Sequence, residues 1–143
     1  MILFDTTVLV YAVGAEHPLR QPCRDLIAAL REGRLRASTT PEVLQEFAHV
    51  RARRRARSDA GALARDFGQL LRPLVVVDED DLRDGLDLFE RHDELGAFDA
   101  VLAAAALRRG ARALVSADRS FGSVEALRYV DPSEPDLLAR LEP

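Results

Sequence analysis

One carboxylate interrupts a stretch of the sequence that is otherwise apolar. Asp99 is the only polar residue between Ala97 and Leu107, in a segment whose length and composition are typical of a helix. A helix that is apolar on every side is buried, and an ionised carboxylate buried without a partner costs on the order of several kcal/mol. Asp99 therefore needs compensation from backbone N–H groups of the first helical turn, from an arginine, or from a bound cation.

Three further acids occupy positions from which they could meet Asp99. Asp5 ends the first strand-like run, Asp118 follows the run ALVS by one residue, and Glu46 lies at the edge of the apolar stripe of its predicted helix. The carboxyl ends of parallel strands border the binding crevice of an open α/β sheet, so we expect Asp5 and Asp118 to share one cleft. Taken singly, the two aspartates are more typical of caps and turns, and Glu46 of a solvated helix boundary.

Taken together, these carboxylates form a ligand set that suits Mg²⁺ or Mn²⁺, because hard cations bind oxygen. Four acids permit one ion or two. Such sites hydrolyse phosphate esters by activating a water and stabilising the leaving oxygen, and they need no side-chain base. The acids therefore predict metal-dependent phosphoryl chemistry.

Other chemistries fit the sequence less well. All 20 basic residues are arginine, whereas receiver domains and haloacid-dehalogenase-like phosphatases normally rely on a lysine beside the phosphoryl group. The phosphatases also need a second aspartate two residues after the first, where this chain has Thr7. Glu46 and His49 form a single Glu-x-x-His pattern, whereas di-iron helix bundles use two copies. No grouping of serine, cysteine and histidine indicates a covalent nucleophile.

Four segments of the chain resemble, in order and spacing, the acidic motifs of PIN-domain ribonucleases. These are ILFDTTVLVYA with Asp5, PEVLQEFAHV with Glu46, FDAVLAAAAL with Asp99 and SADRSF with Asp118. The resemblance covers nearly the whole chain, and the size is similar to that of the VapC toxins of bacterial toxin–antitoxin pairs. It implies a Mg²⁺- or Mn²⁺-dependent endoribonuclease that acts on structured or translation-related RNA and whose acidic cleft is blocked by an antitoxin.

The same resemblance implies a role for each acid. The residues that would hold the metal are Asp5, Glu46 and Asp99, with Asp118 helping directly or through water. Thr6 or Ser116 would support the site by hydrogen bonds. Thr7 stands where the family often has Asn or Ser, and Ser116 where it often has Thr, so each position keeps a hydroxyl.

Two surface features bear on partners. The densest basic run follows Glu46 on its helix, and we interpret it as a candidate contact to the RNA backbone through Arg51, Arg53, Arg54 and Arg55. A solvated helix end explains this run equally well, because guanidinium groups spread around a helix cannot all face one ligand. The apolar helices at residues 6–13 and 18–30 are expected to offer surface for a homodimer or an antitoxin helix.

The pattern of elements predicts an α/β fold. Strands are expected at residues 2–5, 35–38, 74–77, 113–116 and 128–130, and helices at 6–13, 18–32, 41–55, 58–71, 79–92, 96–110 and 136–141. In the helix at 79–92, the apolar stripe is Leu82, Leu86 and Phe89. Strands that alternate with helices indicate a parallel sheet covered on both faces. We expect a PIN-like three-layer α/β/α sandwich with a short parallel sheet.

Composition agrees with a single intracellular domain. The 143 residues are 48% hydrophobic, enough for one core, so we expect one domain over residues 1–143. The net charge of −4 argues against a protein that holds nucleic acid by bulk positive charge. A lone cysteine, Cys23, fits a reducing compartment. With no basic leader and no apolar stretch of membrane-spanning length, we expect a cytoplasmic protein without membrane contact.

Two alternatives to a toxin remain open at this point. One is a PIN nuclease that processes RNA without being toxic to its host. The other is a catalytically silent module whose acidic cleft holds a structural ion or an arginine of a partner protein. Turnover of RNA distinguishes both toxin and processing enzyme from the silent module.

Overall fold

Four short parallel strands form the centre of the molecule. The computed structural model describes every residue from Met1 to Pro143. Along the chain its elements are β1 (Ile2–Phe4), α1 (Thr6–Val13), α2 (Arg20–Arg31), β2 (Ala37–Ser38), α3 (Pro41–Ala52), α4 (Arg57–Leu70), α5 (Glu79–Arg91), α6 (Ala97–Arg108), β3 (Ala113–Val115), a 3₁₀ helix (Arg119–Ser123), β4 (Tyr129–Val130) and α7 (Leu137–Leu141). The strand order is β2-β1-β3-β4, and every pairing is parallel.

The strand order accounts for helices on both faces of the sheet. The connection from β1 to β2 and the one from β2 to β3 run in opposite directions across the sheet. Because such crossovers are right-handed, opposite directions put their helices on opposite faces. This is the expected three-layer arrangement. Because all four strands are parallel, their carboxyl ends lie along one side of the sheet, which we call the acidic edge because Asp5 follows β1 there and Asp118 lies after β3.

The inner strands and α6 supply much of the core. Every residue of β1 and β3 is buried. Helix α6 is buried from Leu102 to Ala106, as its apolar composition predicts, and it ends before Gly110, whose φ of 59° is in the left-handed region. Asp99 lies in the first turn of this helix.

The strand predicted at residues 74–77 is absent. One backbone hydrogen bond, from Val75 N to Thr39 O at 2.9 Å, joins this segment to the chain after β2. Val76 is 70% exposed, and its carbonyl oxygen accepts from the guanidinium of Arg109. A β-branched run was therefore not enough to make a strand, because the segment has no ladder of backbone partners.

Helix α5 turns a different face to the core from the one predicted. Leu82, Leu86 and Phe89 are 49%, 42% and 44% exposed, so the expected stripe faces outward. The buried residues are Asp81, Gly85 and Leu88. A Cβ on Gly85 would lie 2.6 Å from the Cα of Val101. The close approach of α5 to α6 at this glycine, and not the apolar stripe, decides which face is buried.

Several helix boundaries also differ from the prediction. Asp5 caps α1, as is typical of an aspartate at such a position, whereas α4 begins at Arg57 without a side-chain cap, one residue before the predicted start at 58. Helix α3 begins as predicted, with the Thr40 side chain accepting from Val43 N, but it ends at Ala52. No helix is both long and apolar enough to cross a membrane.

Candidate active site

Asp5 stands at the acidic edge, held between the two inner strands. Its backbone N–H donates to the carbonyl of Val115 at 3.0 Å, so the residue continues the pairing of β1 with β3. The side chain is 3% exposed. Burial raises the pKa of Asp5 above its usual value, although hydrogen bonds from Ser116, Thr7 and nearby backbone groups act in the opposite direction. A buried carboxylate at this position favours a cation in front of it.

Two hydroxyls fix the orientation of Asp5. Ser116 Oγ donates to Asp5 Oδ2 at 2.6 Å, and Thr7 Oγ1 donates to the same oxygen at 2.9 Å. The two hydroxyl oxygens are 3.2 Å apart, and Thr7 Oγ1 also accepts from Ala117 N at 2.9 Å. This arrangement leaves Asp5 Oδ1 without a side-chain hydrogen bond. That oxygen is the one available to a ligand.

Asp118 is held by the same serine from the other side. Its backbone N–H donates to Ser116 Oγ at 3.0 Å, and its Oδ1 accepts from Ser120 N at 2.9 Å. Asp118 therefore caps the 3₁₀ helix that follows β3, as the turn-former interpretation expected. Only Oδ1 accepts this backbone hydrogen bond, so Asp118 can cap the 3₁₀ helix and still present its other carboxylate oxygen to the cleft.

Glu46 reaches the site from α3. Thr6 Oγ1, on the first turn of α1, donates to Glu46 Oε2 at 2.5 Å. Glu46 is otherwise exposed, which matches its predicted position at the edge of the α3 stripe. The bond ties α3 to α1 directly beside Asp5, since Thr6 is the next residue in the chain.

The three other acids lie close enough to Asp99 for their charges to act on its carboxyl. Burial, followed by the charges of Asp5, Asp118 and Glu46, raises its pKa to about 7. Asp99 lies in the first turn of α6, where the helix dipole favours a negative charge, but it forms no ion pair with an arginine. The structure thus brings the four predicted acids together, and at Asp99 burial and the neighbouring charges outweigh the helix dipole.

The donor set fits a hard divalent cation in type, because Asp5, Glu46, Asp99 and Asp118 offer carboxylate oxygens and the hydroxyls of Thr6, Thr7 and Ser116 lie beside them. The acids are not closed into a finished site, since no three acidic or histidine side chains stand together in ligating positions. The carboxylates are nevertheless close enough for the charges of the other three to raise the pKa of Asp99, in addition to the effect of burial. A cation would draw them together and supply the missing positive charge.

The predicted arginine run divides into two parts. Arg51 donates to Asp59 Oδ2 at 2.7 Å and to the carbonyl of Val13 at 3.0 Å, so its guanidinium links α3 to α4 and α1. Arg53, Arg54 and Arg55 are exposed and lie in the turn after α3. Helix α3 places this turn roughly 10 Å beyond Glu46 along the helix axis, at 1.5 Å per residue.

Sequence reasoning missed the part played by Thr7. We expected Thr6 or Ser116 to support the acids, and both form such bonds, but the hydroxyl of Thr7 binds Asp5, Ser116 and the backbone of Ala117 as well. The available signal was a hydroxyl two residues after Asp5, which is the spacing of an Asx or Ser/Thr turn. Its reach to Ala117, more than a hundred residues away in the chain, depends on the pairing of β1 with β3.

Comparisons with known proteins agree with this geometry. The family model described as "PIN domain" matches residues 2–127. The chain is 53% identical over 142 residues to ribonuclease VapC7 of Mycobacterium tuberculosis, covering 99% of this chain and 98% of the relative. It is 34% identical over 125 residues to ribonuclease VapC23 of the same species, covering 86% of this chain and 97% of the relative.

Solved structures show the same fold at low sequence identity. VapC20 of M. tuberculosis, described as a sarcin–ricin loop cleaving toxin, superposes with a TM-score of 0.72 at 21% identity, covering 86% of this chain and 94% of that one. VapBC2 of Rickettsia felis, bound to a DNA fragment from its promoter, gives 0.70 at 16% identity, covering 92% and 98%. At sequence identities this low, the two comparisons show a shared fold and nothing more.

Proposed function

The chain belongs to the PIN-domain family, and on that premise we propose that it is a VapC-type endoribonuclease, the toxin of a toxin–antitoxin pair. The observation that carries the proposal is the meeting of Asp5, Glu46, Asp99 and Asp118 at one sheet edge, where the pKa of Asp99 rises to about 7. Full-length similarity to proteins named ribonuclease VapC supports the activity. The site then cuts RNA phosphodiester bonds by hydrolysis.

We assign the metal to the acids as follows. Asp5, through Oδ1, Asp99 and Glu46 hold a divalent cation, and Asp118 assists directly or through a bound water. PIN-domain nucleases of this type depend on divalent metal, and we propose Mg²⁺, with Mn²⁺ as a substitute. When bound, the metal supplies an activated water and stabilises the leaving oxygen.

The surrounding hydroxyls keep the ligands in place. Ser116 and Thr7 fix one oxygen of Asp5 and turn the other toward the cleft. Thr6 holds Glu46, and Ser116 also binds the backbone of Asp118. Asp99 is carried by a buried helix, so its position depends on packing and not on a polar partner. A site with fixed ligands loses little entropy when it binds substrate.

Partners follow from the same function. We propose RNA as substrate, with its sequence preference set by the loops around the acidic edge, and a cognate antitoxin as the protein that blocks this edge. Both would be met in the cytoplasm, the compartment that a lone reduced cysteine also suits. We propose that residues 1–143 form one domain, because a single hydrophobic core includes residues from Ile2 to Leu141.

We also propose a homodimer, through a face different from the one first expected. The large apolar residues of α1 and α2 are mostly buried or partly buried. Most of the exposed large apolar residues lie on α5 and at the start of α6, and we call these the α5–α6 face: Leu82, Leu86, Phe89 and Phe98. A contiguous exposed apolar face bordered by charged residues is typical of an interface with another protein chain.

Turnover tests the proposed activity. Purified protein is incubated with single-stranded and stem–loop RNA in Mg²⁺, in Mn²⁺ and in EDTA. We expect cleavage with either metal, none in EDTA, and a loss of more than about 100-fold in Asp99→Asn and in Glu46→Gln, because each removes a charged ligand. Asp66→Asn, which removes an exposed acid of α4, serves as the matched control and should retain full activity.

Growth of a host that expresses the chain separates the biological roles. Arrest with the wild type and normal growth with Asp99→Asn support a toxin. Cleavage in vitro without growth arrest supports an RNA-processing nuclease instead. If RNA stays intact in both metals and Asp99→Asn behaves as the wild type, the chain is the silent acidic module and the nuclease proposal is wrong.

A further inference from the structure

An acidic cleft repels the substrate that it must bind. RNA carries a negative charge at every phosphate, and proteins that bind it neutralise some of these charges with arginine or lysine. The candidate site gathers Asp5, Glu46, Asp99 and Asp118, and the chain as a whole has a net charge of −4. If the chain is the proposed nuclease, some basic group near the acidic edge has to hold the RNA backbone.

The acidic edge contains one such group. Among the first five residues that follow each of the four strands, Arg119 is the only basic one. It comes directly after Asp118, so the two Cα atoms are about 3.8 Å apart. Both Asp118 and Arg119 also act on the pKa of Tyr129, Asp118 raising it and Arg119 lowering it. The guanidinium therefore lies within charge–charge range of the same region as the Asp118 carboxylate.

The guanidinium of Arg119 is largely free to bind. Its side chain is 85% exposed, and only Nε approaches an acid, Asp131 Oδ2 at 3.5 Å. No side-chain or backbone acceptor takes a hydrogen bond from its two terminal nitrogens. A guanidinium fork matches two oxygens of a phosphate, so these nitrogens offer a bidentate site.

Asp131 gives Arg119 its position. This residue directly follows β4, and it is itself fixed by Ser133 N, which donates to Oδ1 at 2.8 Å. The distance from Nε to Oδ2 exceeds that of a strong charge-assisted hydrogen bond. Such a contact tethers the guanidinium beside Asp118 while leaving its outer edge open to solvent.

We propose that Arg119 binds the RNA backbone at the phosphate next to the one that is cleaved at the four acids. The inference rests on the proposed nuclease function and replaces the Arg51–Arg55 run as the nearest backbone contact. Arg51 is engaged by Asp59 and Val13, and the exposed arginines that follow it lie beyond the far end of α3. Arg119 then supplies the attraction that brings an anionic chain to an acidic cleft.

Equilibrium binding tests this assignment without turnover. A fluorescein-labelled stem–loop RNA is titrated with Asp99→Asn protein in Mg²⁺ at several KCl concentrations. Adding Arg119→Ala should weaken binding about tenfold, as expected for a charged hydrogen bond, and lower the slope of log K against log salt by about 1. Adding Arg54→Ala, the matched exposed arginine, should change neither quantity. Arg119→Lys should keep the slope, because the charge remains.

A purely structural role of Arg119 has a different signature. If the residue served only as the partner of Asp131, then Asp131→Asn would weaken RNA binding as much as Arg119→Ala does. We expect Asp131→Asn to bind RNA equally well or more tightly, because it releases the guanidinium. Unchanged binding in Arg119→Ala, or equal losses in Arg119→Ala and Arg54→Ala, overturns the proposal. Failure of the nuclease function itself appears separately, as RNA that the wild type binds in Mg²⁺ but does not cut.

Discussion

At the scale of single residues, the carboxyl of Asp99 makes the metal-free protein sensitive to pH. Its pKa rises from the ordinary 3.8 to about 7 on folding, chiefly by burial and then by the neighbouring acids. The folded state therefore binds more protons than the unfolded chain between these two values, so stability falls as pH rises through that window. We expect urea unfolding in EDTA to show this loss, with a flatter profile for Asp99→Asn.

The same variant separates a metal ligand from a structural acid. Above pH 7 in EDTA, Asp99→Asn should unfold at a higher urea concentration than the wild type, because one repelling charge is gone. Adding Mg²⁺ should stabilise the wild type, since a ligand that binds only the folded state favours it, and should have little effect on Asp99→Asn. A variant that is unfolded or weaker at every pH would show that Asp99 stabilises the helix instead.

Single residues were predictable from sequence where the local pattern alone determines the role. Asp5 and Asp118 stood out because each follows a strand, and Asp99 because its surroundings are apolar. Glu46 was a candidate for its place at the edge of an apolar stripe and for the motif that it resembles, and the ligand role of all four acids stays a prediction. Arg119 did not stand out, because an arginine after a loop aspartate carries no local signal. Its importance depends on Asp131 and on the absence of other positive charges at the same edge, and both depend on the order of the strands.

At the scale of secondary-structure elements, a buried ion-pair cluster fixes α5 against α6. Asp81 is 0% exposed and accepts from Arg109 Nη1 at 2.7 Å and Arg108 Nε at 2.9 Å. Burial opposes its ionisation, but the bond from Arg109, the backbone of Asp78 and both positive charges lower its pKa overall. We expect Asp81→Ala to lower the free energy of unfolding by about 2 kcal/mol, because two charge-assisted hydrogen bonds and the capping box with Asp78 are lost.

A neighbouring acid provides the control for this prediction. Asp84 also pairs with Arg108, at 3.3 Å, but its side chain is 40% exposed. Asp84→Ala should therefore cost less than about 1 kcal/mol. Denaturant unfolding of both variants gives the comparison. Equal losses in the two would mean that burial of Asp81 adds nothing to the packing of α5 on α6.

This cluster also explains why the orientation of α5 was predicted wrongly. Its apolar stripe suggested a core-facing side, but a helix buries whichever face its neighbour accommodates. Here the neighbour is α6. Its backbone at Val101 packs closely against Gly85, which has no side chain, and its Arg108 pairs with the carboxylate of Asp81. Neither the close contact with Val101 nor the arginine partners from the end of α6 can be deduced from the α5 sequence. The parallel direction of the strands, in contrast, followed from the alternation of strands and helices.

At the scale of the whole molecule, the outward stripe of α5 becomes the expected interface between two copies. A specific interface buries about 800 Å² per partner around an apolar centre, and the α5–α6 face supplies four large apolar side chains for it. A two-fold interface presents the same patch twice, so one substitution acts at two places.

We expect the wild type to be a dimer by light scattering and Leu86→Lys, with an unchanged circular dichroism spectrum, to be a monomer. Ala62→Lys adds the same charge to an exposed position of α4 and should remain a dimer. A monomeric wild type, or a Leu86→Lys protein that still dimerises at the same concentration, would show that this face has another role.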